Sequence, residues 1–317
     1  MEYSSDVLVI GGGPAGLSAG LMLARARRRI TIVDGGQPRN RFAAHVHGVL
    51  GHDGKSPATL AAEGRREVES YGGIFVRDDL VSVEPHQRGF TATMTDGETH
   101  RARRLLVATG LRDELPAIEG LAEQWGRGVV ACPYCDGYEA RDVRIGVIGS
   151  GGPFSVHQAQ LLRQWSKHVI YFPFGAELLL SDDARSLDAR GIAVENRATV
   201  VRVATKSGDL IGVDLADGTR VAVDKIFIAP RPVPLDDILQ TLGAARDVGP
   251  FGTFVRTDAT GKTSVDGVWA AGNVTSPAVN VPMAMGAGAS AGTAINLDLV
   301  NEEIAAAIGG TVAGAAR

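Results

Sequence analysis

The chain has 317 residues, 44% of them hydrophobic and 21% charged, with 41 glycines and a formal net charge of −4. That length exceeds what one growing core usually fills, so two domains are expected, glycine-rich and able to bury real cores. The mildly acidic balance excludes general attraction to nucleic acid or an anionic membrane, and with no apolar run of about 18 residues and no leader-like start, a soluble cytoplasmic protein is expected.

The first predicted element is a strand, Asp6 to Ile10, an apolar run of strand length. LSAGLMLARA, Leu17 to Ala26, carries leucine and methionine at helical spacing, and ITIVD supplies the next strand. Between strand and helix, Gly11, Gly13 and Gly16 form a GxGxxG turn. Glycine there permits a tight turn, close approach of a pyrophosphate to the backbone and close helix packing, with the phosphates at the helix N-terminus. Asp34 ends the second strand, placed for ribose hydroxyls, and the assembly predicts a dinucleotide site. Arg25 and Arg27 to Arg29 fall at the end of the helix, where cations complement its dipole. RARR, Arg101 to Arg104, is expected to be a solvated lead-in to the strand of RRLLVATG.

Further along, DVRIGVIGSGGPFSVHQAQLLRQWSKHVIYF, from Asp142 to Phe172, repeats strand, glycine turn, helix and strand. The fold class is therefore α/β, with two Rossmann-like three-layer nucleotide-binding domains. Val200 to Pro230 alternates as a β-meander with a turn at Asp217 and Gly218. SVDGVWAAGNV then supplies another buried strand, and PMAMGAGASAGTAINLDLV a helix of small residues.

Both cysteines of the chain, Cys132 and Cys135, lie in ACPYCDGYEARD. In a glutaredoxin such a pair follows the first strand of a small domain, whereas here some 130 residues precede it and a strand follows almost at once. Zinc would need two further ligands, and none of His45, His47, His52, His86, His100, His157 and His168 is paired at metal-binding spacing after the cysteines, so no metal is expected. A redox dithiol remains. Two intervening residues let the sulfurs meet, Pro133 restricts the turn, and a helix starting at the pair would lower a thiolate pKa.

VIGGGPAG at Val9 to Gly16, GGQ at Gly35 to Gln37, VATG at Val107 to Gly110, CxxCDG at Cys132 to Gly137 and GVWAAGNV at Gly267 to Val274 occur in this order. With them the chain resembles, over nearly its whole length, the low-molecular-weight thioredoxin reductase family of FAD-dependent disulfide oxidoreductases. The resemblance implies that FAD is held by Gly11, Gly13, Pro14, Ala15, Gly16, Asp34, Gly36, Gln37, Asn40, Val81 and Ala108. Gly272 and Asn273 would meet its ribityl and phosphate region, and Val281, Pro282 and Met283 would lie near the flavin ring. Family members usually carry Asp where Asn273 stands, and asparagine keeps a hydrogen bond to a ribityl hydroxyl while removing a charge. By the same resemblance Cys135 faces the flavin, Cys132 exchanges with substrate and Asp136 moves protons, a helix cap being the other reading of Asp136. A homodimer is implied too, with an FAD-binding domain of residues 1–111 and 243–317 interrupted by an inserted NAD(P)-binding-like domain, 112–242, that carries the CxxC pair.

Reductases of this family take hydride from NADPH and hold its 2′-phosphate with a basic cluster after the inserted domain's second strand. Here no lysine or arginine occurs from Val169 until Arg185, so a phosphate finds no bidentate partner. Pro153 and Phe154 also stand in a glycine turn one residue longer than the family's. NADPH is disfavoured, and NADH, with Glu177 toward a ribose, less so. GQPRN at Gly36 to Asn40, AHVHG at Ala44 to Gly48 and CPYCDGYEARD resemble the dithiol oxidase branch that closes disulfides in small natural products such as gliotoxin and holomycin. That likeness implies a small-molecule dithiol as reductant of the cysteine pair, FAD as the next carrier and oxygen as acceptor. The alternatives are an NAD(P)H- or ferredoxin-dependent disulfide reductase acting on a thioredoxin-like protein, and a flavin-binding redox sensor without turnover. His45 and His47 receive no catalytic assignment.

Overall fold

The computed structural model describes residues 4–87, 89–150, 153–174 and 179–314. Gly151 and Gly152 of the second glycine turn, and Glu177, lie outside the described residues. The chain forms two compact α/β units, one of Met1–Arg41, Ala58–Arg112 and Pro232–Arg317, the other of Phe42–Pro57 and Asp113–Arg231. The return crossing thus falls at residue 232 rather than 243, and the short stretch 42–57 joins the second unit.

In the first unit β1 (Ser5–Ile10), α1 (Pro14–Arg25) and β2 (Ile30–Val33) follow the expected plan. Then come α2 (Pro57–Ser70), β3 (Ile74–Val76), β4 (Leu80–His86), β5 (Gly89–Met94), β6 (Thr99–Val107) and the exit segment β7 (Leu111–Glu114). The sheet order is β3-β2-β1-β6-β5-β4. Val9 of β1 lies level with Ile32 on one side and Leu106 on the other, and all three face one core with Ala15, Ala19 and Leu23 of α1. Leu8 and Ile10 alternate to the opposite face and a second core with Val33, Leu105 and Val107. Each such large apolar side chain contributes about 1.5–3 kcal/mol by leaving water. Helix α1 stops where Arg27 takes a φ of 62° and Arg28 N–H bonds to Leu23 O at 3.1 Å.

The second unit holds β8 (Val129–Val130), α3 (Pro133–Asp136), β9 (Ile145–Ile148), α4 (Pro153–Leu162), β10 (Val169–Phe172), α5 (Ser181–Ala189) and β11 (Ala193–Val194). The hairpin strands β12 (Val200–Lys206), β13 (Asp209–Leu215) and β14 (Arg220–Val221) precede β15 (Lys225–Ile228). The parallel sheet runs β11-β10-β9-β15-β8. Val147 sits level with Tyr171 and Phe227, facing Val156, Ala159 and Leu162 of α4, while Ile148, Phe172 and Ile228 face Val200, Val213 and Leu215. The meander is therefore shorter than expected. KIFI leaves it for the parallel sheet because Ile226, Phe227 and Ile228 are apolar on both faces, as a central parallel strand requires.

After β16 (Arg231–Pro234), the chain adds α6 (Asp237–Thr241), β17 (Arg246–Gly249), β18 (Gly252–Val255), β19 (Val268–Ala270) and α7 (Val281–Gly314) to the first unit. β19 pairs with the second half of β6, Trp269 level with Leu106. Helix α7 lies directly on α1, where a Cβ on Gly288 would stand 2.0 Å from Ala15 O and one on Gly292 2.9 Å from Ala19 O. Arg103 and Arg104 are not solvated. At 15% exposure each, they bind the acids of α7, Arg104 Nε to Asp298 Oδ2 at 2.6 Å and Arg103 to Glu303 Oε1 at 3.1 Å, and Arg28 reaches the same Glu303.

Candidate functional site

β1, β2, β6 and β19 run parallel, so the residues that follow them, Gly11, Asp34, Ala108 and Gly272, collect along one edge of the first sheet. β1 lies between β2 and β6, and the crevice between neighbours whose connections depart in opposite directions is where open α/β sheets bind ligands. The turn is tight on its flanks. Gly11 has a φ of 105° and a Cβ there would stand 2.4 Å from Ala108 O, while one on Gly16 would stand 1.9 Å from Gly11 O. At Gly13 nothing lies within 4 Å of an added Cβ, which leaves a cradle. No side-chain hydrogen bond caps α1, with Gly13 as its N-cap and Pro14 in its first turn, so the leading N–H groups suit an anion. A Cβ on Gly12 would press on Asp34 Cγ at 2.7 Å, and one on Gly272 on Ala15 Cβ at 2.9 Å, so acid, turn and β19 end converge. These residues fit the diphosphate and ribose of a flavin dinucleotide.

Other expected FAD residues are placed less tightly. Gly36, at φ 76°, faces the Arg77 guanidinium, Gln37 and Val81 are exposed, and Asn40 is half-buried in a 3-10 turn, Arg39–Phe42. Asn273 Nδ2 donates to Ser276 O at 3.0 Å and Val279 O at 2.8 Å, leaving its oxygen as acceptor. Val281, Pro282 and Met283 form the first turn of α7, where Met283 N–H donates to Asn280 Oδ1 at 3.1 Å.

In the second unit β8 delivers the chain to the cysteines. Cys132 and Cys135 are joined as a disulfide with Cα atoms 5.2 Å apart, and both are half-buried. Cys132 is the N-cap of α3, and its carbonyl accepts the N–H groups of Cys135 and Asp136, each at 3.1 Å. α3 has a single turn of four residues, too short for the expected strong dipole at the sulfurs. Gly137 lets Trp165 pack below the turn, since a Cβ there would stand 2.8 Å from that indole, and Tyr134 meets Trp165 edge-on at 6.3 Å. Buried Gln158 of α4 donates to Ala131 O at 2.6 Å, fixing the residue before Cys132.

Asp136 ends α3, so it is not the helix N-cap. Burial pushes its carboxyl above the usual range, with Lys225 and His47 pulling it down and Glu139 adding to the rise. Burial likewise pushes the Lys225 ammonium down, against Asp136 and Glu139. Lys225 also donates to the Arg127 carbonyl. His47 places Nε2 3.6 Å from Glu139 Oε1 and Nδ1 3.4 Å from Asp53 Oδ2. A disulfide flanked by an acid and a lysine, each pushed toward its neutral form, can exchange with thiols and handle the protons that exchange moves.

Glu139, Lys225 and Gln158 were not expected. Glu139 could have been found, three positions after Asp136 on a helical turn. Lys225 and Gln158 owe their places to tertiary packing. Among the described residues no group of three histidine, cysteine or acidic side chains could hold a metal, and no helix is long and apolar enough to cross a membrane.

The family model described as pyridine nucleotide-disulphide oxidoreductase matches residues 5–293. Thioredoxin reductase sirT of Leptosphaeria maculans is 30% identical over 95% of this chain and 96% of its own length. Thioredoxin reductase tcpT of Claviceps purpurea is 32% identical over 93% and 94%. Among solved structures, HlmI superposes with a TM-score of 0.91 at 45% identity, covering 97% of this chain and 96% of its own. An oxidoreductase from Agrobacterium tumefaciens gives 0.87 at 39%, covering 95% and 99%.

Proposed function

Because the chain belongs to the pyridine nucleotide-disulphide oxidoreductase family and is a flavin disulfide oxidoreductase of thioredoxin reductase type, we propose that it is a dithiol oxidase, closing a disulfide in a small-molecule dithiol. The observation that carries this direction of electron flow is the rim beyond β10. Asp182 and Asp183 occupy the first turn of α5 there, and no lysine or arginine occurs from Val169 until Arg185, so a 2′-phosphate would meet acids instead of a basic clamp.

The chemistry follows from the turn. A substrate thiolate attacks Cys132 Sγ, the Cys132–Cys135 bond breaks, and Cys135 leaves as a thiolate that takes a proton. The second substrate sulfur, deprotonated, then displaces Cys132, closing the substrate disulfide and leaving both cysteines reduced. Asp136, its carboxyl raised by burial, holds and moves the proton at these sulfurs. Gly11, Gly13, Gly16, Asp34 and Gly272 would hold FAD, which when bound would supply a two-electron acceptor for the cysteine pair. With oxygen as final acceptor the sum is dithiol plus oxygen to disulfide plus hydrogen peroxide. The reading includes a homodimer as the working unit and needs no nicotinamide.

A second reading, an NAD(P)H-dependent disulfide reductase with a thioredoxin-like partner, is favoured by the names of sirT and tcpT. Anaerobic mixing separates the two. The oxidase bleaches its flavin with a dithiol and not with NADPH or NADH, and in air it makes peroxide that Cys135→Ser abolishes. Rapid bleaching by either nicotinamide overturns it, and peroxide turnover excludes a sensor without catalysis.

A further inference from the structure

The stretch 42–57 packs with the second unit, and a Cβ on Gly126 would stand 2.4 Å from Phe42 O. Its loop is closed on itself. Val46 N–H bonds to Lys55 O at 2.7 Å, Gly54 N–H to Val46 O at 2.9 Å and Gly48 N–H to Asp53 Oδ1 at 2.8 Å. Val46 and Val49 are buried beneath it. His45 Nδ1 lies 3.0 Å from Gly54 O. His47 is thus presented from a fixed frame with both ring nitrogens directed at carboxylates, Asp53 of its own loop and Glu139 of the turn after α3.

We propose that His47 is a positioning residue for the redox turn, which through its contact with Glu139 governs proton transfer at Asp136. The proposal rests on the reading that Cys132 and Cys135 exchange with a dithiol. The groups that face His47 are Asp53 and His45 from its loop, the His45 ring 6.1 Å away, Glu139 from the turn and, through the field, Asp136 of α3. Lys225 of β15 acts on Asp136 and Glu139 together. Burial holds Asp136 toward its neutral form first, Glu139 adds to that and His47 opposes it. Removal of the His47 ring takes away a partner of Glu139 and an influence that lowers the Asp136 carboxyl, so Asp136 holds its proton more tightly. Loss of the Glu139 charge does the reverse.

The test uses the full-length protein without oxygen and dithiothreitol as the probe dithiol. Reduction of the cysteine pair is counted by the mass added on alkylation, across pH, and the limb that Asp136→Asn removes is followed. His47→Gln should move that limb up by roughly half a pH unit, Glu139→Gln down by a similar amount, and the double variant should return near the wild type. Glu139 is partly exposed, so its variant carries the test if the loop does not tolerate His47→Gln. A limb that stays in place in both single variants, or moves the same way in both, overturns the proposal. If dithiothreitol fails to reduce the wild-type pair at every pH, the dithiol reading itself falls, a result distinct from an unmoved limb.

Discussion

At Asn273 both amide hydrogens are committed to backbone carbonyls, so the asparagine is more than an aspartate that has lost its charge. A carboxylate has no hydrogens to give and would face two carbonyl oxygens. Asn273→Asp should cost about 1–3 kcal/mol, read by urea unfolding, and should lower the flavin retained on purification. At Asp136 the sign of the shift sets a different expectation. Burial keeps this carboxyl protonated to higher pH than a solvated one, which suits a group that both gives and takes a proton. Asp136→Asn should slow dithiol-driven reduction of the cysteine pair about 10²–10⁴-fold while the disulfide still forms, measured by stopped flow.

Two contacts between elements show the cost of altering a shared surface. On α7, Gly288 and Gly292 let the backbone of α1 approach, and a side chain at Gly288 must displace Ala15 or the helix. Gly288→Val should destabilise the protein by roughly 1–3 kcal/mol and loosen the glycine turn that α1 begins, lowering flavin content. In the hairpin of β12 to β14, Arg202 and Arg220 hold Asp214 down at about 2. The unfolded value is near 3.8, so this contribution is complete above pH 4 and is lost as the pH falls toward 2. With the arginines half exposed it is worth about 1 kcal/mol, and Asp214→Asn should lower stability by that amount at pH 7 and by nothing near pH 2.

These elements also show what a sequence reveals. The first glycine turn was legible because Gly11 and Gly16 answer a backbone demand that no other residue meets. Arg103 and Arg104 were misread because a basic run looks solvated until the acids of α7, some 200 positions away, are known to cover it. Glu139 stands three positions after Asp136 and was within reach of a linear reading, whereas Lys225, some 90 positions away, acts on Asp136 by its charge through tertiary packing that no linear reading carries.

Among the described residues each unit has two apolar cores of its own, and no buried residue belongs to the cores of both. A flavin that binds the glycine turn of the first unit stabilises that unit by about 2.7 kcal/mol at a hundred times its Kd, and leaves the cores of the second untouched. Calorimetry with increasing FAD should therefore move one transition upward and leave another in place, whereas a single transition that moves as a whole would mean that the units unfold together. The packing of α1 on α7 has a further consequence during synthesis. It joins two elements more than 250 positions apart, so the nascent first unit stays open until α7 has been made. The other unit is complete in sequence at Arg231, and its cysteines can meet the redox buffer of their surroundings before α7 completes the first unit.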